Sequence, residues 1–200
     1  MKKILTIVSA AVLMLLGTNA SAQQWTAAGG FSTFTLSGED GSKVFDESIP
    51  GFYFGVNYDY AFSTIDGLTV EPGLYIMHYG KEFSYMTATK SYHANYIRIP
   101  VNIKYTMPIE SNFSISGFTG PRFNLGIGGN MFSKGETYMG LKLTDAQWGF
   151  GIAAMIQDAI QIRAGYDLGL TKCIKDNTGM GFDNLKAYRN TMYVGVGFSF

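Results

Sequence analysis

The stretch Met192-Tyr193-Val194-Gly195-Val196-Gly197-Phe198-Ser199-Phe200 alternates without a break. Met192, Val194, Val196, Phe198 and Phe200 fall on one face, and Tyr193, Gly195, Gly197 and Ser199 on the other. Successive side chains of a strand point to opposite faces, so strict period two reads as a strand with one apolar face. The same alternation recurs upstream. Ile97, Ile99, Val101, Ile103 and Tyr105 oppose Arg98, Pro100, Asn102 and Lys104, and Phe52, Phe54, Val56 and Tyr58 oppose Tyr53, Gly55, Asn57 and Asp59. Leu68 to Ile76, Trp148 to Ile156 and Ile162 to Leu170 follow suit. In Phe113 to Ile127, Phe118 shares the face of Ser114, Ser116, Arg122 and Asn124. Gln24 to Leu36 reads as a first strand of undetermined facing.

Eight strands result, near 24–37, 51–62, 67–80, 94–106, 112–127, 144–157, 160–171 and 189–200. The connections at 63–66, 107–111 and 158–159 are short, whereas 38–50, 81–93, 128–143 and 172–188 are long. Long and short alternate along the whole chain. Bacterial transmembrane barrels have an even strand number, short periplasmic turns and long external loops. Tyr58, Tyr60, Phe62, Tyr105, Phe113, Phe198 and Phe200 gather on apolar faces near the short-turn end, where an interfacial aromatic girdle belongs. The expected fold is all-β, an eight-stranded antiparallel transmembrane up-and-down barrel. A soluble barrel of the lipocalin type, with its apolar face inward, explains the alternation equally well but not the loop asymmetry or the girdle.

The N-terminus supports export. Lys2 and Lys3 precede an apolar run from Ile4 to Leu16, and Ala20-Ser21-Ala22 stands before Gln23. This is the pattern of a cleaved signal peptide over 1–22, leaving 23–200 as the barrel domain. Without Lys2 and Lys3 the chain keeps 13 Lys and Arg against 15 Asp and Glu, so no basic footprint for nucleic acid is expected. Cys173 is the only cysteine, which excludes an internal disulfide and a thiolate zinc site. Beyond the signal peptide no apolar run reaches the ~18 residues of a spanning helix. Pro72, Pro100 and Pro121 fall inside predicted strands, and bulges are expected there.

Tyr96-Ile97-Arg98-Ile99-Pro100-Val101-Asn102-Ile103-Lys104-Tyr105 resembles the Y-x-x-I-P-x-x-x-K-Y strand of the PorT-like outer-membrane β-barrel proteins of Bacteroidetes. Glu71-Pro72-Gly73-Leu74-Tyr75 and Gly117-Phe118-Thr119-Gly120-Pro121 are similar to that family's third and fifth strands. The three strand prolines recur in its pattern. The resemblance implies residence in the outer membrane, with the lipid itself and the barrel-assembly machinery as partners. Tyr193, Phe198 and Phe200 resemble the C-terminal signal read by that machinery. The family's founding member is tied to protein secretion, and most members have no assigned activity.

An eight-stranded barrel has an interior just wide enough to be filled by side chains. The inward parity carries Asp59, Glu71, Arg98, Lys104, Arg122, Arg163 and Asp167. Counted from the 63–66 turn, Asp59 and Glu71 stand roughly opposite on neighbouring strands, so a cation is required between them, Lys104 or Arg163. The expected role is a salt-bridge network that plugs the lumen; the alternative is an ion-selective constriction. For catalysis only His78 and His93 are available, with no Ser or acid at a spacing that completes a triad. The expected function is structural or loop-mediated interaction in the outer membrane, without catalysis, cofactor or metal. A narrow channel for small solutes is the alternative and a lipid-modifying barrel enzyme a more distant one. Any surface ligand is expected at the long loops, the first of which is acidic through Glu39, Asp40, Asp46 and Glu47 against Lys43.

Overall fold

The computed structural model describes residues 24–38, 48–62, 64–85, 88–132, 139–176 and 186–200. The expected signal peptide and the acidic residues of the first loop lie outside them. Eight long strands close into one antiparallel barrel: β1 (Gln24–Gly38), β2 (Ile49–Ala61), β3 (Leu68–Tyr85), β4 (Ala88–Glu110), β5 (Phe113–Gly128), β7 (Thr144–Ile156), β8 (Ile160–Gly169) and β10 (Ala187–Ser199). Each pairs with its neighbours in sequence, and β10 returns to β1, with Phe31 opposite Val194. Two short strands, β6 (Met139–Leu141) and β9 (Ile174–Asp176), pair with each other outside the barrel wall.

The alternation places apolar side chains outside and polar ones inside. Phe31 is 75% and Ile152 64% exposed, while Glu71 and Asp167 are fully buried. This is inside-out for a water-soluble protein and settles the facing against a lipocalin-type interior. Closure leaves no strand edge open within the barrel wall, where hydrocarbon would offer it no partner. No helix among the described residues is long and apolar enough to cross a membrane.

Three tight turns lie at one end. Phe62 N–H donates to Leu68 O at 3.0 Å and Ala159 N–H to Ile156 O at 3.1 Å within two of them, and Gln157 N–H reaches across to Asn112 O of the third at 2.7 Å. The start of β1 and the end of the chain meet there too, Trp25 and Phe200 exchanging backbone hydrogen bonds of 3.1 and 2.8 Å. Of the expected girdle, Tyr105, Phe198 and Phe200 are well exposed, while Tyr58 is buried beneath Trp25, the ring centroids 4.9 Å apart.

Two expectations are corrected. The 81–93 segment is not a loop: Lys81–Tyr85 pairs with Ala88–Tyr92, so β3 and β4 run on beyond the wall as a hairpin. The edge of its β4 arm is covered by one side chain, Asn130, whose amide donates to Ser91 O at 2.7 Å and accepts His93 N–H at 2.8 Å. The prolines make no bulges. Pairing lapses beside each, but Asn57↔Gly73 and Tyr60↔Val70 keep one register across Pro72, as Pro72↔Val101 and Tyr75↔Arg98 do across Pro100. Pro100↔Arg122 and Ile103↔Thr119 do the same across Pro121. Neighbouring ladder bonds hold the alignment, so a missing N–H removes bonds without inserting a residue. The register shifts fall elsewhere, at Asn95/Tyr96 and Pro108/Glu110.

Candidate functional site

Every second residue of the wall points into the lumen, and these side chains form a stack of charged layers. Nearest the short turns, Lys104 of β4 pairs with Asp59 of β2 and reaches Glu71 Oε2 at 3.3 Å. Glu71 of β3 also accepts Arg163 Nη2 at 2.5 Å and Asn102 Nδ2 at 2.6 Å. Two carboxylates on adjacent strands are thus held together by cations, which offsets their repulsion. Arg163 lies 4.4 Å over the Phe118 ring, and this stacking is why Phe118 occupies the polar face.

Above this layer, Asp167 of β8 takes Arg98 at 2.6 Å and Arg122 Nε at 3.3 Å. Arg98 spends its remaining donors on Asn124 Oδ1 and Gln147 Oε1, both at 2.8 Å. The structure therefore brings Asp59, Glu71, Lys104 and Arg163 into one cluster and Arg98, Arg122 and Asp167 into the next. Between them lies a cavity of about 30 Å³, bordered by Tyr53, Tyr75, Asn102 and the three arginines. That is room for a water-sized particle or two.

A third layer was not among the sequence-derived candidates. Arg189 of β10 pairs with Asp145 of β7 at 2.9 Å, and its guanidinium sits 4.1 Å over Tyr96. Both residues have inward parity, which is the signal that identifies them, but they stand at the ends of the strands expected at 144–157 and 189–200, where parity is least constrained. The external mouth is then closed by apolar side chains. Phe132, Leu141, Cys173 and Ile174 from the third and fourth connections join Phe34, Leu36, Ile49, Tyr79, Ala94 and Tyr96 in one buried cluster. The β6–β9 pairing ties those two connections together above the lumen.

Cys173 belongs to this cap. Its thiol is free and buried and donates to Ala187 O at 3.3 Å. Burial pushes it up to about 12, the reverse of what a reactive thiolate needs. His78 Nδ1 contacts Asn95 Oδ1 at 2.7 Å and its ring lies against Phe52, and His93 is exposed. Among the described residues no three His, Cys, Asp or Glu gather as a metal site. Of the C-terminal signal residues, Phe198 and Phe200 face outward, whereas Tyr193 points inward with its ring 5.9 Å from that of Tyr53.

A family model described as the outer membrane protein beta-barrel domain matches residues 8–200. No curated protein matches the sequence. Among solved structures, the barrel is similar to the attachment invasion locus protein Ail of Yersinia pestis in complex with the heparin analogue sucrose octasulfate. The identity is 14% over 89% of this chain and 99% of that one, with a TM-score of 0.51. It is also similar to OprG of Pseudomonas aeruginosa, at 14% identity over 90% and 96% of the two chains and a TM-score of 0.50. Neisserial surface protein A gives 13% identity over 90% and 100%, also with a TM-score of 0.50. At these identities what is shared is the fold.

Proposed function

The chain belongs to the outer membrane protein beta-barrel domain family, and from that premise we propose that it is a plugged barrel acting as a structural and interaction protein, with no catalysis and no open pore. The observation that carries this reading is the filled lumen. Three layers of paired charges and an apolar cap occupy the path from one end to the other. An interior of eight strands leaves little space once side chains of this size fill it. Recognition then falls to the external parts, the β3–β4 hairpin and the long connections, which are joined to a rigid wall. Lipid covers the apolar outer face.

The finer placement among the PorT-like proteins of Bacteroidetes rests on the strand motifs around Pro72, Pro100 and Pro121. Reading of Phe198 and Phe200 by the barrel-assembly machinery is supported by their place on the outer face of the closing strand. The 1–22 signal peptide is the export step that precedes it.

Single-channel recording of refolded, heat-modifiable protein in a planar bilayer tests the main proposal. A silent bilayer, with folding confirmed by the gel shift, is the expected result. Discrete openings whose size changes in Glu71→Gln or Arg163→Gln would replace the plug by the narrow channel.

A further inference from the structure

The buried charges of the lumen do not balance. Five cations, Arg98, Lys104, Arg122, Arg163 and Arg189, share the described interior with four carboxylates, Asp59, Glu71, Asp145 and Asp167. Three carboxylates each hold a cation of their own: Asp59 holds Lys104, Glu71 holds Arg163, and Asp145 holds Arg189. Asp167 serves two, with Arg98 at 2.6 Å and Arg122 at the longer 3.3 Å. Arg122 is therefore the surplus charge.

Its remaining contacts do not neutralise it. Nη1 donates to the carbonyls of Gly120 at 3.0 Å and Pro121 at 3.4 Å, the neutral Tyr193 hydroxyl lies within hydrogen-bonding reach, and Nη2 has no partner that meets hydrogen-bond geometry among the described residues. Arg122 is 1% exposed, and an uncompensated charge in such an interior is costly. The 30 Å³ cavity lies against it. Two residues that line the cavity carry further unpartnered donors, the Tyr53 hydroxyl and Arg163 Nε, both on residues more than nine-tenths buried. One unpartnered acceptor, Asn102 Oδ1, shares the wall.

We infer that this cavity is an anion site that takes one small monovalent anion of chloride size, the counterion of Arg122. Residues carrying three unpartnered donors and a net positive charge border a space of about 30 Å³, which suits a small monovalent anion better than sulfate or phosphate. The site lies between the two charged layers, so it exists only in the folded barrel. The site goes beyond the plugged-barrel reading and does not depend on silence in a bilayer recording.

The test is refolding into detergent micelles in sodium chloride, sodium bromide or sodium gluconate at one ionic strength, followed by urea unfolding. For the wild type the midpoint should be higher in either halide than in gluconate and should rise with halide concentration, as linkage to the folded state requires. Crystals grown in bromide should give an anomalous peak beside Arg122. Arg122→Gln removes the surplus charge and should unfold at the same midpoint in all three salts. Should that variant not fold, Tyr53→Phe, which removes one donor, should require more chloride for the same midpoint. Equal wild-type midpoints in the three salts, or a bromide difference map with no peak in the lumen, would overturn the inference and leave the cavity to water.

Discussion

Replacing Glu71 by leucine removes the carboxylate on which the lower lumen converges. Glu71 is fully buried and accepts Arg163 at 2.5 Å, Asn102 at 2.6 Å and Lys104 at 3.3 Å. In Glu71→Leu, Lys104 still has Asp59, but Arg163 keeps only its stacking on Phe118. Breaking one partner of a buried pair costs ~3–5 kcal/mol. With a urea slope of about 2 kcal/mol per molar, the midpoint should fall by roughly 1.5–2.5 M. Trp25 and Trp148 sit half-exposed on the outer wall, so their fluorescence reports the loss of the lipid-facing surface, and the gel shift confirms it independently. Glu71→Gln, which still offers an oxygen to Arg163, should lose less. Glu71→Leu combined with Arg163→Met should recover most of the loss, because the stranded charge leaves with its partner. An unchanged midpoint in Glu71→Leu would refute the reasoning, and so would a double variant no more stable than the single.

Three further outcomes follow from the cap and the lumen wall. Cys173 should resist iodoacetamide at pH 8 in the folded barrel and react once urea opens the cap; equal rates in both states would show that the cap is not closed. Its thiol is pushed up to about 12 when folded, against about 8.5 in an unfolded chain. The unfolded state therefore sheds the proton first as pH rises, and this contribution is complete below about pH 8.5 and lost on the way to the folded value. The wild-type midpoint should fall more steeply above that pH than that of Cys173→Ala, and parallel slopes would contradict it. Gly195→Ala tests the packing of the lumen wall, because a methyl there meets the Tyr53 hydroxyl and the carbonyl of Gly29. A loss of about 1–3 kcal/mol is expected from overpacking, read as a lower urea midpoint, and a neutral result would mean that Tyr53 is free to move aside.

Where lipid and lumen impose opposite demands on the two faces, the alternation spells out the fold. Met192 to Phe200 and Ile97 to Tyr105 can be assigned a facing by inspection for that reason. The pattern fades where the demand fades. Lys81 to Tyr92 runs beyond the wall, so nothing requires period two there, although its backbone remains paired. In β1 the signal reverses along the strand: Thr26 and Ser32 mark the inward face in one half, while Phe34 and Leu36 occupy it in the other because they enter the apolar cap. Phe118 breaks the polar parity for a local reason, the guanidinium above it. Asp145 and Arg189 carry the parity in plain sight, but the end of a predicted strand says nothing about a partner 44 residues away. The cap itself had no signature in sequence, since Phe132, Leu141, Cys173 and Ile174 sit in short apolar stretches with no period until β6 and β9 pair.

A charged interior needs a reason, because apolar residues of equal volume often make a more stable core than buried ion pairs do. Here the alternative to be excluded is the barrel turned inside out. A strand slipped by one residue exchanges its faces, and if both faces were apolar nothing would oppose the slip. With Arg98 on β4, Arg122 on β5 and Arg163 on β8 facing inward, each of these strands on slipping sets its own arginine against hydrocarbon, at roughly 2–4 kcal/mol near the bilayer midplane. The carboxylates then follow from the arginines, since cations brought inside must be paired. The ion pairs thus specify facing more than they add stability, and the two are separable by experiment. Arg163→Met, Arg189→Met, Glu71→Leu and Asp145→Leu in one chain remove two whole ion pairs and leave the net charge of the lumen unchanged. Barrels of this variant that do fold should unfold at a urea midpoint near that of the wild type, while the fraction reaching the heat-modifiable form from urea should drop several-fold. A yield equal to that of the wild type would show that the outer face alone sets the register.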